Sequence, residues 1–279
     1  MNFKEFWVRA RIHNLFLIGC ILVLFMVVLG VLADVIAPFE PFEQHLKDRL
    51  LPPNSTYLLG TDWAGRDTLS RLIFGSRITL NISFSTVILA GIGGITLGLL
   101  AGYFGGILDT LISAITNLIF SFPALILALT ISVLLGPSTL NLIFVLSILY
   151  APNMIRMTRS ATFSIKGQEY VTSAHAVGCS TLRVLTHHIM PNVVAPVLVQ
   201  LTIGFSYCIL AEAALTFLGF GAQPPDASWG SILNEGRPTI WVSAWPSIFA
   251  GVFIAIAVLG FNFVGDGLRD ILDPTQRFE

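Results

Sequence analysis

The feature that most constrains this chain is where its charges are missing. From Arg77 to Asp109 no Asp, Glu, Lys or Arg interrupts the sequence, and from Asp109 to Arg156 none does so again. Such gaps exceed the roughly 20 apolar residues that a helix needs to cross a bilayer. The composition agrees: 54% of residues are hydrophobic and 11% charged, against about 25% charged in a soluble domain, so a water-soluble globule is excluded. With 15 Lys+Arg against 16 Asp+Glu and no basic run, nothing points to nucleic acid.

Counting the gaps gives six spans. Leu15 to Ala33 follows Lys4, Arg9 and Arg11; it is longer than the roughly 7 to 15 apolar residues of a secretory signal, so it reads as a retained first helix. Ile78 to Phe104 is the second. The stretch from Asp109 to Arg156 holds the third and fourth, parted by Gly136-Pro137-Ser138, a turn sequence. Val193 to Phe217 is the fifth, and the sixth lies between Arg237 and Asp266. An even number puts both termini on one side. With the N-terminus inside, the inner segments hold Lys4, Arg9, Arg11, Arg156, Arg159, Lys166, Arg183, Arg269 and Arg277, and the outer ones Lys47, Arg49, Arg66, Arg71, Arg77 and Arg237. That excess favours cytoplasmic termini. Two segments are longer than connectors: an outer loop from Asp34 to Ser76 and an inner segment from Arg156 to Met190.

Within the spans two features stand out. Gly94, Gly98, Gly102 and Gly106 recur every four residues, a stripe without side chains that lets another helix approach closely. Glu212, in Leu-Ala-Glu-Ala-Ala-Leu, is the acid of the fifth span. An ionised group near the bilayer centre costs roughly 2.5 to 3.5 kcal/mol, so it either hydrogen-bonds a neighbouring helix or lines a translocation route.

The inner segment has the punctuation of a helix-turn-helix: Glu169 in a first turn, Gly178 as a left-handed stop, Ser180 as the cap of a second helix, and Pro191 opening the fifth span. Connectors usually take about 4 to 6 residues, so a segment this long has room to dock a partner.

These residues resemble the EAA loop of ABC importer permeases of the dipeptide, oligopeptide and nickel group. Glu169-Tyr170-Val171, Ala174, Gly178 and His188-Ile189-Met190-Pro191-Asn192 match it; Thr172 and Ser173 stand where the general motif has Glu-Ala, and Met190 stands for Leu. The stretch from Leu59 to Arg71 with Gly75-Ser76-Arg77 is similar to the group's outer-loop signature. Ser121-Phe122-Pro123, Phe217 to Gly221, Pro224-Pro225 with Ser228-Trp229-Gly230, and Asn262 with Leu268 to Pro274 extend the likeness over nearly the whole chain. In the outer signature Gly60 and Gly65 permit tight turns, while Asp62, Arg66, Asp67 and Arg71 can pair into a folded cap or meet cargo.

The resemblance implies an all-α polytopic membrane protein with six transmembrane helices and the type I ABC importer permease fold, with a cytoplasmic coupling helix. It divides the chain into residues 1–77, the N-terminal tail, first helix and outer loop, and a core permease domain of residues 78–279. It also implies a heterodimer with a paralogous permease subunit, two cytoplasmic ATPase subunits, an extracytoplasmic substrate-binding protein, and residence in the cytoplasmic membrane of a prokaryote. Glu169, Tyr170, Ala174, Gly178 and Pro191 would couple to the ATPases. Peptides, nickel and metal-chelate complexes all remain open as cargo.

No catalytic or cofactor site is expected in this chain. Its lysines, Lys4, Lys47 and Lys166, sit in no Gly-x4-Gly-Lys-Ser/Thr loop, so ATP and Mg belong to the partner ATPases. The histidines, His13, His45, His175, His187 and His188, form no HExxH, and Cys20, Cys179 and Cys208 no CxxC, so no metal site or disulfide is expected. An intramembrane hydrolase lacks its motifs here. The alternative, an ion-coupled secondary transporter or channel subunit, would call for intramembrane charges or repeated halves.

Overall fold

The computed structural model describes residues 9–223 and 226–272. Lys4, Pro224, Pro225, Asp273, Pro274 and Arg277 lie outside them. Among the described residues there is no strand, only an isolated bridge between Thr61 and Asp67.

The first membrane-length helix, α1 (Asn14–Val31), starts where the His13 ring accepts the Phe16 N–H at 3.2 Å. The other ring nitrogen of His13 lies 3.1 Å from Asp270 near the end of the chain, tying the first helix to the last. The second, α2 (Thr68–Phe104), is capped by Asp67, whose Oδ2 accepts the Ser70 N–H at 2.7 Å. The second span was expected from Ile78, but this cap and an unbroken run of helix-compatible residues start it ten residues earlier. At about 1.5 Å per residue α2 is roughly 55 Å long, well beyond the hydrocarbon core of about 30 Å. Residues 77 and 78, the expected division of the chain, fall inside it.

The third span is not one helix. α3 (Gly106–Phe120) and α4 (Ala124–Leu135) are bent by 92° at Ser121-Phe122-Pro123. Pro123 has no N–H to give and disfavours helical Phe122 before it, and no charge marks the place. After the Gly136-Pro137-Ser138 turn, α5 (Thr139–Lys166) begins with Ser138 as its cap. The short α6 (Glu169–Ala176) precedes α7 (Met190–Phe217), and α8 (Trp229–Gly236) and α9 (Trp245–Leu272) complete the chain. Among the described residues five helical segments are long and apolar enough to cross a membrane, and the bent α3 and α4 pair, counted as one span, gives a sixth.

α2 and α5 form the most extensive helix pair, with α7 against both and α1 lying over α9. Their core carries Tyr150, Met154, Ile189 and Ile209, and Trp229 is buried where its indole N–H reaches the Leu72 carbonyl at 3.1 Å.

Candidate functional site

The chemistry-bearing residues gather at the two ends of α2 and along its middle. At the end near Phe104, α6 lies against the bundle by one face and leaves its first residues and its closing turn outside. Glu169 heads it, where a negative charge suits the helix dipole, and Glu169 and Tyr170 are exposed. The helix stops at Gly178, at φ +83°. The Gly178 N–H donates to His175 O and the Cys179 N–H to Ala174 O, both at 3.0 Å, the paired bonds of a Schellman turn.

Ala174 does not face outward as a docking residue would. With Val171 it is buried in the chain's own core beside Tyr103 and Val184, so its small side chain seats α6 against the bundle. Tyr103 and His175 stack, with the phenol oxygen and the ring nitrogen 3.1 Å apart. What α6 and its turn leave outside are two apolar side chains that sequence reasoning passed over, Val177 and Leu182, at 79% and 71% exposure.

Pro191 does not open a separate helix. Helix begins at Thr181, passes through a π-turn from Val184 to Ile189, and continues into α7. A proline removes an N–H and crowds the carbonyl four residues back, and the wider turn absorbs it. Ser180 stands at the head of this rod without a side-chain cap bond.

At the other end of α2 the expected cap is folded, around a residue that sequence reasoning missed. Asp62 accepts from Arg66 Nε and from Arg71 Nη1, each at 2.6 Å. Glu235, on α8, accepts from Arg71 at 2.8 and 2.9 Å and pairs with Arg66 as well. Burial alone would raise the Glu235 carboxyl, but the Arg71 hydrogen bonds and the charges of both arginines outweigh it and hold it below the ordinary range. Gly65, at φ +76°, brings its backbone against the His45 carbonyl where a Cβ would collide. Asp67 serves the helix start and not the ion cluster. Arg71 is buried, so the cluster is a clamp between the outer loop and α8.

Along the middle of α2, three of the four glycines face α5. A Cβ at Gly98 would lie 2.6 Å from Thr158 Cβ, and one at Gly102 2.7 Å from Thr162 Cβ; Gly94 meets Met154 in the same way. Gly106 is not part of this face. α2 ends at Gly105, at φ +67°, and a Cβ at Gly106 would meet nothing within 4 Å.

Glu212 is wholly buried. Thr216 Oγ1 donates to it at 2.9 Å, and the Thr79 and Ser228 hydroxyls also bear on its carboxyl. Thr79 in turn accepts the Trp229 N–H at 3.3 Å. With no exposed surface, Glu212 is enclosed within this chain, its one hydrogen bond among the described residues coming from Thr216 on its own helix.

Comparison with known proteins accords with this arrangement. Residues 94–278 match the family described as binding-protein-dependent transport system inner membrane component. Residues 2–53 match the N-terminal transmembrane domain of oligopeptide transport permease C. The dipeptide transport system permease protein of Haemophilus influenzae is 41% identical over 97% of this chain and 94% of its own. The glutathione transport system permease protein of Pectobacterium atrosepticum is 35% identical over 97% and 90%. Among solved structures, the inward-facing MetNI methionine ABC transporter superposes with a TM-score of 0.60 at 21% identity, covering 74% of this chain and 97% of its own, a likeness of fold.

Proposed function

Because the chain belongs to the binding-protein-dependent transport system inner membrane components, we propose that it is one of two paralogous membrane subunits that together form the route of an ATP-driven peptide importer. Nucleotide and Mg are bound by two separate cytoplasmic ABC ATPase subunits, and a substrate-binding protein delivers cargo at the cap end. Both termini and α6 face the cytoplasm of a prokaryotic cell. The cargoes named for the relatives, dipeptides and glutathione, favour a short peptide over nickel or a metal chelate. The ion-coupled alternative loses its ground with the family.

The observation that carries the coupling role is the exposed tip around Gly178. Val177 and Leu182 flank it, and the helix from Thr181 runs on into α7. Apolar side chains on a protruding turn fit a cleft of a partner protein, and a displacement at the tip reaches the bundle through one continuous rod. Glu169 and Tyr170 add polar contacts beside it, Ala174 seats the helix, and Pro191 fixes the π-turn at the base of the rod.

Gly178→Val tests this. A β-branched residue at φ +83° costs about 1 to 3 kcal/mol locally, in a turn outside the spans. In the reconstituted complex, peptide-stimulated ATP hydrolysis should fall at least about tenfold with membrane insertion unchanged. Wild-type stimulation in that variant would refute the coupling role.

A further inference from the structure

Where α1, α2, α7 and α9 meet, the bundle leaves a groove of about 710 Å³. Its floor is aromatic: Phe205 and Phe261 stack with ring centroids 4.7 Å apart, and Phe84 lies 6.0 Å from Phe205. One wall is Val23 and Val27 of α1. The other wall breaks the apolar pattern, because α2 presents Arg77, Asn81 and Ser85 along it at four-residue intervals. Arg77 donates to the Gly30 carbonyl at 2.9 Å and to Asp34 at 2.8 Å, and both side chains of this ion pair stay open, at 40% and 69% exposure. One turn deeper, Asn81 is exposed; its Oδ1 accepts from Ser85 at 3.2 Å, and its NH2 has no partner among the described residues. An amide left unpaired against hydrocarbon costs several kcal/mol, so the groove asks for an occupant that is polar at one end and apolar at the other.

We propose that this groove holds one zwitterionic glycerophospholipid. Its phosphate lies on Arg77 and its ammonium on Asp34, matching a cation and an anion held side by side. A glycerol ester carbonyl accepts from Asn81 Nδ2, and one acyl chain runs past Val27 and Val23 over the two stacked phenylalanines. The depth fits. Arg77 to Asn81 is one helical turn, about 6 Å, and Arg77 to Ser85 is about 12 Å, close to the roughly 15 Å depth of one leaflet. A helix of another subunit crosses both leaflets and would need a groove about twice as long.

The test is native mass spectrometry of the assembled transporter after equal amounts of phosphatidylethanolamine, phosphatidylglycerol and diacylglycerol are added. Wild type should retain one phosphatidylethanolamine per copy of this chain. Asn81→Leu should lower that retention about tenfold, the loss of one buried hydrogen bond. Asp34→Asn should remove the preference over phosphatidylglycerol, and Val27→Trp, at an exposed position that fills the groove, should abolish retention without lowering thermal stability. Equal retention of the three lipids, or retention indifferent to Val27→Trp, would overturn the proposal. So would a cysteine at Phe84 that cross-links in membranes to the other permease subunit, which would make the occupant a protein.

Discussion

At the cap, two arginines are shared between two carboxylates. Asp62 alone meets Arg66 and Arg71 through a single oxygen; Glu235 supplies the second carboxylate and joins the loop to α8. Hydrogen bonds to charged groups contribute about 1.5 to 3 kcal/mol, so Glu235→Gln should destabilise the chain by about 2 kcal/mol, read as a lower midpoint of thermal unfolding in detergent. The pH dependence follows in sign. Because the folded carboxyl sits below its ordinary value of 4.5, its stabilisation is present above that value and is lost as pH falls through the lowered one. Wild type should therefore lose stability on acidification below about pH 4.5 more steeply than Glu235→Gln; identical acid profiles would show that the pair contributes nothing. Asp62, Arg66 and Arg71 were legible as a cluster because they lie within nine residues. Glu235 was not, since it stands 164 residues from Arg71 and only the return of α8 onto the end of α2 brings it there. The burial of Glu212 depends on the same return, through Ser228.

Along the helices the two glycines at 93 and 98 make a controlled experiment, because the same added methyl meets opposite surroundings. At Gly93 a Cβ meets nothing within 4 Å, whereas at Gly98 it lies 2.6 Å from Thr158 Cβ and 2.8 Å from the Ile155 carbonyl. Backbone and a β-branched residue cannot give way cheaply, so Gly98→Ala should cost about 1 to 3 kcal/mol. Gly93→Ala should be neutral or stabilise by up to about 1 kcal/mol through helix propensity alone. Thermal unfolding of the two variants checks this, and equal midpoints would refute the packing role of the glycine face. The periodicity of Gly94, Gly98 and Gly102 made that face readable; the end of α2 at Gly105 did not announce itself, because a glycine at positive φ looks in sequence like another member of the stripe. The bend at Ser121-Phe122-Pro123 was hidden for a related reason. Hydropathy detects a break through charges or polar turn residues, and these three residues supply neither charge nor a run of turn formers, so two helices of 15 and 12 residues read as one span.

For the molecule as a whole, α2 sets the scale: the Asp62, Arg71 and Glu235 clamp sits at one end and the α6 platform at the other, about 55 Å apart along one helix. A helix that long passes beyond both faces of a bilayer core of about 30 Å, so the clamp and the platform meet different solutions, and the lysines and arginines decide which. Arg156, Arg159, Lys166 and Arg183 cluster toward the platform, yet Arg71 and Arg77 stand close to the opposite membrane face. Both of those are committed to carboxylates, Arg71 to Asp62 and Glu235 and Arg77 to Asp34. Orientation follows positive charge near the ends of spans and not net charge, so Arg71 and Arg77 weaken the bias without reversing it, and the platform should be cytoplasmic. Thr56, in the outer loop, and Ser164, near the end of α5, are both exposed and report the two sides. In a background lacking Cys20, Cys179 and Cys208, a cysteine at Thr56 should react with an impermeant maleimide in intact cells, and one at Ser164 only after permeabilisation. The reverse pattern would invert the topology and place α6 where no cytoplasmic ATPase can reach it.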